Sequence, residues 1–131
     1  MANSKRQFRF VKEHKSLTEV LMDHELASLG DSYINFVYSL TLSAKTGKPS
    51  GAKVKGDVLA EAVRTAKLRD FLPSRMSRHA LADAAEALVV YAWLQRRMSV
   101  EESAAMIAGG KDTAEGMVKL LSAAMKRTTF P

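Results

Sequence analysis

Hydrophobic residues recur at three- and four-residue steps along most of the chain, and short polar segments separate the runs. Such spacing places apolar side chains on one face of an α-helix, and no stretch keeps the strict alternation of a strand. The pattern predicts an all-α fold in one domain over residues 16–131, preceded by a basic N-terminal arm over residues 1–15. No internal repeat or second domain is indicated.

Capping residues and helix breakers divide this pattern into six predicted helices. Ser16 with Glu19, and Ser99 with Glu102, have the spacing of a capping box, in which each residue satisfies a backbone N–H of the other. The predicted segments are a short helix after Ser16, a long helix over residues 23–47, helices over about 58–67 and 78–97, and two more over about 99–110 and 112–126.

The long second helix carries more large apolar residues than the core of one small monomer needs. They recur at helical spacing, and they are Leu26, Leu29, Tyr33, Phe36, Val37 and Leu40. We therefore expect a homodimer that forms through the apolar face of residues 26–44. The same helix contains Gly30 and Asp31, although glycine costs about 1 kcal/mol against alanine, and an aspartate among core residues needs a partner or a metal ion.

Composition limits the possible functions. The chain of 131 residues is 47% hydrophobic, enough for one core, and it has no apolar run of membrane-spanning length and no signal-peptide pattern. It has no cysteine, which excludes disulfides and thiolate metal sites and leads us to expect a cytoplasmic protein. The net charge of +6 favours a polyanionic partner, nucleic acid first, although a protein can also simply be basic.

Two further acids lie in the fourth predicted helix. Asp83 and Glu86 are three residues apart and therefore share one helical face, about 60° apart, beside apolar residues. Clustered carboxylates next to apolar surface suit a hard cation such as Mg²⁺. Alternatively, these acids form the solvated stripe of an amphipathic helix, and Asp31 is a buried helix aspartate paired with a lysine or arginine.

Three segments together resemble the catalytic domain of the ribonuclease III family. The first is LASLGDSYINFVYSL (residues 26–40), which is similar to the family's signature helix with its Leu-Gly-Asp core. The second is VKGDVLAEAV (residues 54–63), which is similar to the next block, a polar turn leading into a Leu-Ala-Glu helix. The third is ALADAAEALVVYAWL (residues 80–94), which is similar to the Ala-Asp-x-x-Glu-Ala block. The three occur in the family's order.

The resemblance implies a ribonuclease III-like helical fold and a metal-dependent endoribonuclease that cleaves double-stranded or structured RNA. Asp31, Asp83 and Glu86 would be both the catalytic residues and the ligands of Mg²⁺, or of Mn²⁺ in its place, with an activated water as nucleophile. Gly30 would allow close approach of two helices. Family members dimerise through the signature helix, so the resemblance implies a homodimer as well.

The chain also departs from the family pattern. Ala27 stands where the classical form has a glutamate, as in the small Mini-ribonuclease III branch, and Glu25 should point elsewhere. His24 is better aligned with Asp31, and Glu61 is expected on the surface. No segment for a double-stranded-RNA-binding domain is recognised after the last helix. Two alternatives therefore stay open: a ribonuclease III fold that binds RNA or the ribosome without cleaving, and a plain helical dimerisation module.

Basic segments flank the acidic blocks. The predicted RNA-binding residues lie in the segment before Asp83 and in the loop after the second helix, and they are Lys53, Lys55, Lys67, Arg69, Arg75, Arg78 and His79. Lys45 and Lys48 extend the loop group, and Lys5, Arg6, Arg9 and Lys12 lie in the arm. Charged loops are often simply solvated. Phe8 and Phe10 either stack on bases or dock the arm, whereas Tyr91, Trp93, Met98 and Met106 are assigned to packing.

Overall fold

The structure is a computed structural model that describes residues 8–131. Over these residues the chain is helical, with no strand, as predicted. The helices are α1 (Leu17–Leu21), α2 (His24–Thr46), α3 (Gly56–Thr65), α4 (Arg78–Leu94), α5 (Val100–Ala108) and α6 (Thr113–Arg127), with a 3₁₀ helix at Leu68–Phe71. None of the helices in the described part of the chain is both long and apolar enough to cross a membrane.

The predicted caps start the helices where they were expected. The Asp23 carboxylate accepts hydrogen bonds from the backbone N–H groups of Glu25 and Leu26 at the start of α2. Ser99 and Glu102 form a full capping box before α5. At α1 only half of the box forms: Ser16 accepts from the N–H of Glu19, while the Glu19 carboxylate accepts from the N–H of Lys15 instead.

The bounds of two helices differ from the predicted ones. α3 starts at Gly56, two residues before the predicted start, and it ends at Thr65 because Lys67 takes a left-handed conformation with φ of 64°. α4 ends at Leu94 and not near residue 97, because Arg96 is left-handed with φ of 59°. The N–H of Arg97 then bonds to the Ala92 carbonyl, which closes the helix as a Schellman-type cap does. Glycine usually occupies such positions, so an arginine there is no signal that the helix ends.

α4 is the centre of the domain and packs against α1, α2, α3 and α6. It is buried on nearly all sides, consistent with its run of alanine, leucine and valine. The side of α2 that faces α4 includes the small residues Ala27 and Gly30 as well as Ile34 and Val37. Two residues of the predicted apolar stripe, Leu29 and Phe36, therefore lie outside the core, with exposed fractions of 39% and 55%.

The described part of the arm, residues 8–15, docks on the helices. His14 is buried; its ring Nε2 lies 2.9 Å from an Asp23 carboxylate oxygen, and its backbone N–H donates to the Tyr91 hydroxyl. Phe8 packs against Trp93, with ring centroids 6.2 Å apart, whereas Phe10 is exposed. Of the two roles considered for Phe8, the structure shows docking of the arm on the helices. Lys5 and Arg6 lie outside the described residues.

Candidate active site

The crossing of α2 over α4 brings Asp31 close to the two candidate acids of α4, Asp83 and Glu86. At the crossing, a methyl group on Gly30 would overlap the backbone carbonyl of Glu86. Only glycine allows this separation of the two backbones. The close approach is what sets Asp31, the next residue on α2, beside the side chain of Glu86. The glycine inside an apolar helix is therefore explained by helix packing.

All three predicted acids line one open groove of about 520 Å³. Asp31 enters from α2, while Asp83 and Glu86 enter from α4. The wall also includes the predicted basic residues Lys53 and His79. Asp31 is exposed to solvent at this groove, so it is not the buried, ion-paired helix aspartate that was the alternative.

The position of the missing family glutamate also faces the groove. Ala27 lines it one helical turn before Asp31, together with His24 and Ser28. A glutamate at residue 27 would have added a fourth carboxylate, and alanine there leaves Asp31 as the only carboxylate that α2 contributes to the groove. His24 is exposed in the first turn of α2 and also lines the groove.

Glu86 is the buried member of the acid group, with an exposed fraction of 8%. Burial, a hydrogen bond with Asp31 and the charges of Asp31 and Asp83 together raise the pKa of Glu86 to about 8, while the charge of Lys53 opposes the rise. Without a cation, Glu86 therefore holds a proton at neutral pH. A cation at this position would favour the charged carboxylate.

Asp83 lies at the more open side of the groove. Its side chain is 27% exposed, and one carboxylate oxygen is 3.7 Å from Nε2 of His79, one helical turn earlier. His79 itself is largely exposed. When protonated, His79 can form an ion pair with Asp83 or present positive charge to an anion in the groove.

Asn35 is a site residue that the sequence reasoning missed. Its Nδ2 donates to the backbone carbonyl of Asp31 at 2.8 Å and to the Asp31 carboxylate at 3.2 Å. Its Oδ1 accepts from the N–H of Val54, in the loop before α3, at 2.7 Å. The only signal in the sequence was a polar residue four positions after Asp31, on the same helical face.

The acids are not arranged as a complete metal cage. Within residues 8–131, no three histidine, aspartate or glutamate side chains lie close enough together to form a ready-made metal cluster. Asp31 and Glu86 are the close pair, and Asp83 acts on Glu86 through its charge. Mg²⁺ commonly takes one or two carboxylates and completes its shell with water and substrate phosphate. The donor set at the groove fits such a cation, and convergence of all three acids stays a prediction.

The predicted RNA-binding residues divide into two groups in the structure. Near the groove lie Lys53 and His79, and close to them are Lys55, just before α3, and Arg78, in the first turn of α4. Arg78 donates to the Asp57 carboxylate at 3.2 Å on the surface, so its charge is partly offset.

The other group does not line the groove. Lys67 lies just past the end of α3, about 15 Å along that helix from Gly56 at the groove. The Arg69 guanidinium donates to the carbonyls of Pro73 and Ser74 and so stabilises its own loop. Arg75 is exposed in the same loop.

The remaining sequence assignments concern residues outside the groove. Glu61 is exposed, as predicted, and pairs with Arg64. Glu25 does not line the groove; it is exposed and pairs with Lys12. Tyr91 and Met98 are buried, while Trp93 and Met106 pack against the core, which confirms their assignment to packing.

Comparison with known proteins identifies the family. A family model described as Ribonuclease III matches residues 24–124, from the first turn of α2 into α6. No curated protein matches the chain. Because the family match spans well over half of the chain, the protein belongs to the ribonuclease III family.

Proposed function

We propose that this ribonuclease III family protein is a metal-dependent endoribonuclease that hydrolyses phosphodiester bonds in double-stranded or structured RNA. The observation that carries the proposal is the position of buried Glu86 beside Asp31, in an open groove that Asp83 and Lys53 also line. A buried carboxyl with a raised pKa, placed between other acids, is typical of a functional site.

Asp31 and Glu86, with Asp83, are the residues that would hold Mg²⁺ or Mn²⁺. When bound, the cation supplies positive charge against the scissile phosphate and a means of activating water. Glu86 must release its proton to serve as a ligand, and Lys53 favours that release. Lys53 and His79, on the groove wall, are placed to contact the phosphate and orient it.

Double-stranded or structured RNA is the substrate class that suits the surface. The chain carries a net charge of +6, and positive side chains stand beside the acids. Contacts of this kind neutralise phosphates, and proteins recognise duplex RNA mainly through its shape, phosphates and 2′-hydroxyls. We therefore expect binding that is nearly independent of sequence and falls steeply with salt.

A homodimer through α2 is part of the same proposal. Leu29 and Phe36 are seven residues apart and so share one face of α2, where both are exposed. On the helix, Leu29 is about 160° from Asp31, and Phe36 about 140°. A second copy docked on this face would therefore cover the apolar residues and leave the groove open.

One observation favours a second candidate, an RNA-binding module that does not cleave. Ala27 faces the groove where the classical family form has a glutamate, so the site has one carboxylate fewer. In that case the positive surface beside the groove binds RNA, and no cleavage follows. Cleavage assays distinguish this candidate directly from the endoribonuclease.

The test is incubation of the purified protein with long double-stranded RNA, in Mg²⁺ or in EDTA. We expect cleavage only in Mg²⁺, and we expect Glu86→Gln to slow it by more than about 100-fold, since even residues around a metal ligand contribute 10- to 100-fold. Glu61→Gln is the matched control, because Glu61 is an exposed glutamate outside the groove. A Glu86→Gln variant as fast as the parent would remove Glu86 from the site. Binding without cleavage by the parent would favour the second candidate.

A further inference from the structure

Three polar side chains of α2 are hydrogen-bonded to the loop that follows it. Ser43 Oγ accepts from the N–H of Ser50 at 2.9 Å, Ser39 Oγ accepts from the N–H of Ala52 at 2.9 Å, and Asn35 Oδ1 accepts from the N–H of Val54 at 2.7 Å. The two serine hydroxyls also lie 3.1 Å from the carbonyls of the same loop residues, within donor distance. We call this arrangement the polar ladder: Asn35, Ser39 and Ser43 bonded to residues 50–54.

The spacing of the ladder follows from backbone geometry. Its members on α2 are four residues apart, which is about 6 Å along a helix, and its loop partners are two residues apart, about 6.6 Å in an extended chain. The two spacings are nearly equal, so all three α2 side chains meet their loop partners. The loop segment consequently runs antiparallel to α2, towards Asp31.

The last step of the ladder joins the loop to the acid group. Asn35 bonds to the loop through Oδ1 and to the backbone and side chain of Asp31 through Nδ2. Lys53 lies between the residues held by Ser39 and Asn35, and both Lys53 and Val54 line the groove. Asn35 therefore connects Asp31 to the residue that follows Lys53.

We propose that Asn35 is a positioning residue that fixes residues 50–54 beside Asp31, so that Lys53 forms a preset contact for an RNA phosphate entering the groove. The proposal rests on RNA as the proposed substrate. A lysine side chain on a free loop would lose conformational entropy on binding, and an ordered backbone reduces that cost. The neighbouring serines then act through the backbone, without touching the substrate.

The first experiment measures whether Asn35 holds the segment, and it needs no RNA. Limited trypsin digestion in EDTA reports opening of the loop, because Lys53 and Lys55 are cleavage sites. We expect Asn35→Ala to speed cleavage there about five- to tenfold, as loss of one or two hydrogen bonds does. Ser39→Ala should act in the same direction. Ser32→Ala, an exposed α2 serine outside the ladder, should leave the rate unchanged.

A conservative variant separates the two bonds of Asn35. Asn35→Asp keeps an acceptor for the Val54 N–H but loses the donor to Asp31. It should restore much of the resistance to trypsin. Cleavage of Asn35→Ala at the parent rate would show that the ladder does not hold the loop and would overturn the proposal.

The second experiment measures phosphate contact by the salt dependence of binding to double-stranded RNA in EDTA. Each lost contact reduces the log–log slope by about 0.9 on a DNA-like duplex. We expect Lys53→Met and Asn35→Ala each to reduce the slope by about one contact, and the double variant to lose no more than either alone, because both changes remove the same contact. Additive losses, or an unchanged slope in Asn35→Ala, would overturn the positioning role.

The two experiments distinguish a failure of the positioning role of Asn35 from a failure of the proposed function. A parent protein that binds no double-stranded RNA would overturn the RNA substrate and the phosphate contact together. The trypsin result would still decide whether Asn35 holds the loop. If the parent binds double-stranded RNA and both Lys53→Met and Asn35→Ala keep its salt slope, RNA remains the substrate and the phosphate contact at Lys53 is overturned.

Discussion

At the scale of single residues, Glu86 is proposed to bind the metal ion, and its burial among other acids lowers the stability of the folded protein when its carboxyl is charged. In the unfolded chain its carboxyl ionises near the ordinary value of 4.5, whereas burial and the neighbouring acids raise the pKa of folded Glu86 to about 8. Between these values the unfolded chain releases a proton that the folded chain keeps. Folding stability therefore falls as pH rises from about 4.5 to about 8, and the full cost is present above that range.

Glu86→Gln should consequently stabilise the metal-free protein at high pH. One pKa unit corresponds to about 1.4 kcal/mol, so we expect the variant's advantage in unfolding free energy to be at least about 1 kcal/mol larger at pH 8 than at pH 5. Urea denaturation in EDTA at both values measures this. Glu61→Gln, at an exposed site, should show no such difference. An advantage for Glu86→Gln that is equal at the two pH values would contradict the raised pKa.

At the scale of helices, the crossing of α2 and α4 at Gly30 determines where the acids meet. The contact involves backbone atoms of Glu86, which cannot move aside as a flexible side chain can. The cost of the glycine in helix propensity is thus offset by packing between two of the domain's longest helices.

Gly30→Ala should destabilise the protein even though alanine is the better helix former. We expect a loss of about 1–3 kcal/mol in unfolding free energy, because overpacking at a rigid contact typically costs that much. Cleavage should also fall, because Asp31 moves away from Glu86. Thermal denaturation followed by circular dichroism measures the loss. Ser32→Ala, two residues away on the exposed side of α2, should instead be neutral or slightly stabilising. Unchanged stability of Gly30→Ala would show that the helices do not approach so closely.

The sequence predicted the helices well because their signals are local. Caps at Asp23 and Ser99 and the apolar spacing of α4 need no knowledge of distant residues, and the structure confirms them. The predicted end of α4 was wrong because Arg96 adopts a left-handed conformation, which an arginine in the sequence does not indicate.

The candidate site was predictable only in part. The family resemblance brought forward Asp31, Asp83 and Glu86, and the structure places all three on one groove. The link from Asn35 to Val54 was not predictable, since it depends on a loop returning along α2. For the same reason, proximity in the sequence wrongly places Lys67 and Arg69 with His79, because the length of α3 and a folded loop separate them from the groove.

At the scale of the whole molecule, the exposed face of α2 is the feature that a monomer does not explain. Phe36 is 55% exposed and Leu29 is 39% exposed on one side of a helix whose opposite flank carries Asp31. Isolated exposed apolar residues are common, but two on one stripe of the proposed dimer helix form a surface that a second copy can cover. Twofold pairing would use the same stripe on both chains.

Phe36→Glu should therefore convert a dimer into a monomer, because two-fold symmetry brings the new charge into the interface twice. Sedimentation equilibrium of the parent should give about twice the chain mass of 14.4 kDa, and the variant should give the single-chain mass with its helical circular dichroism retained. Phe71→Glu is the matched control, since Phe71 is a phenylalanine of similar exposure, 42%, that lies on the 3₁₀ helix outside α2. A parent that sediments as a monomer at high concentration would rule out the dimer, and a Phe36→Glu variant that remains dimeric would place the interface on another face. If the dimer forms as proposed, dissociation should also weaken binding to long double-stranded RNA, because each assembly would then present one groove instead of two linked ones.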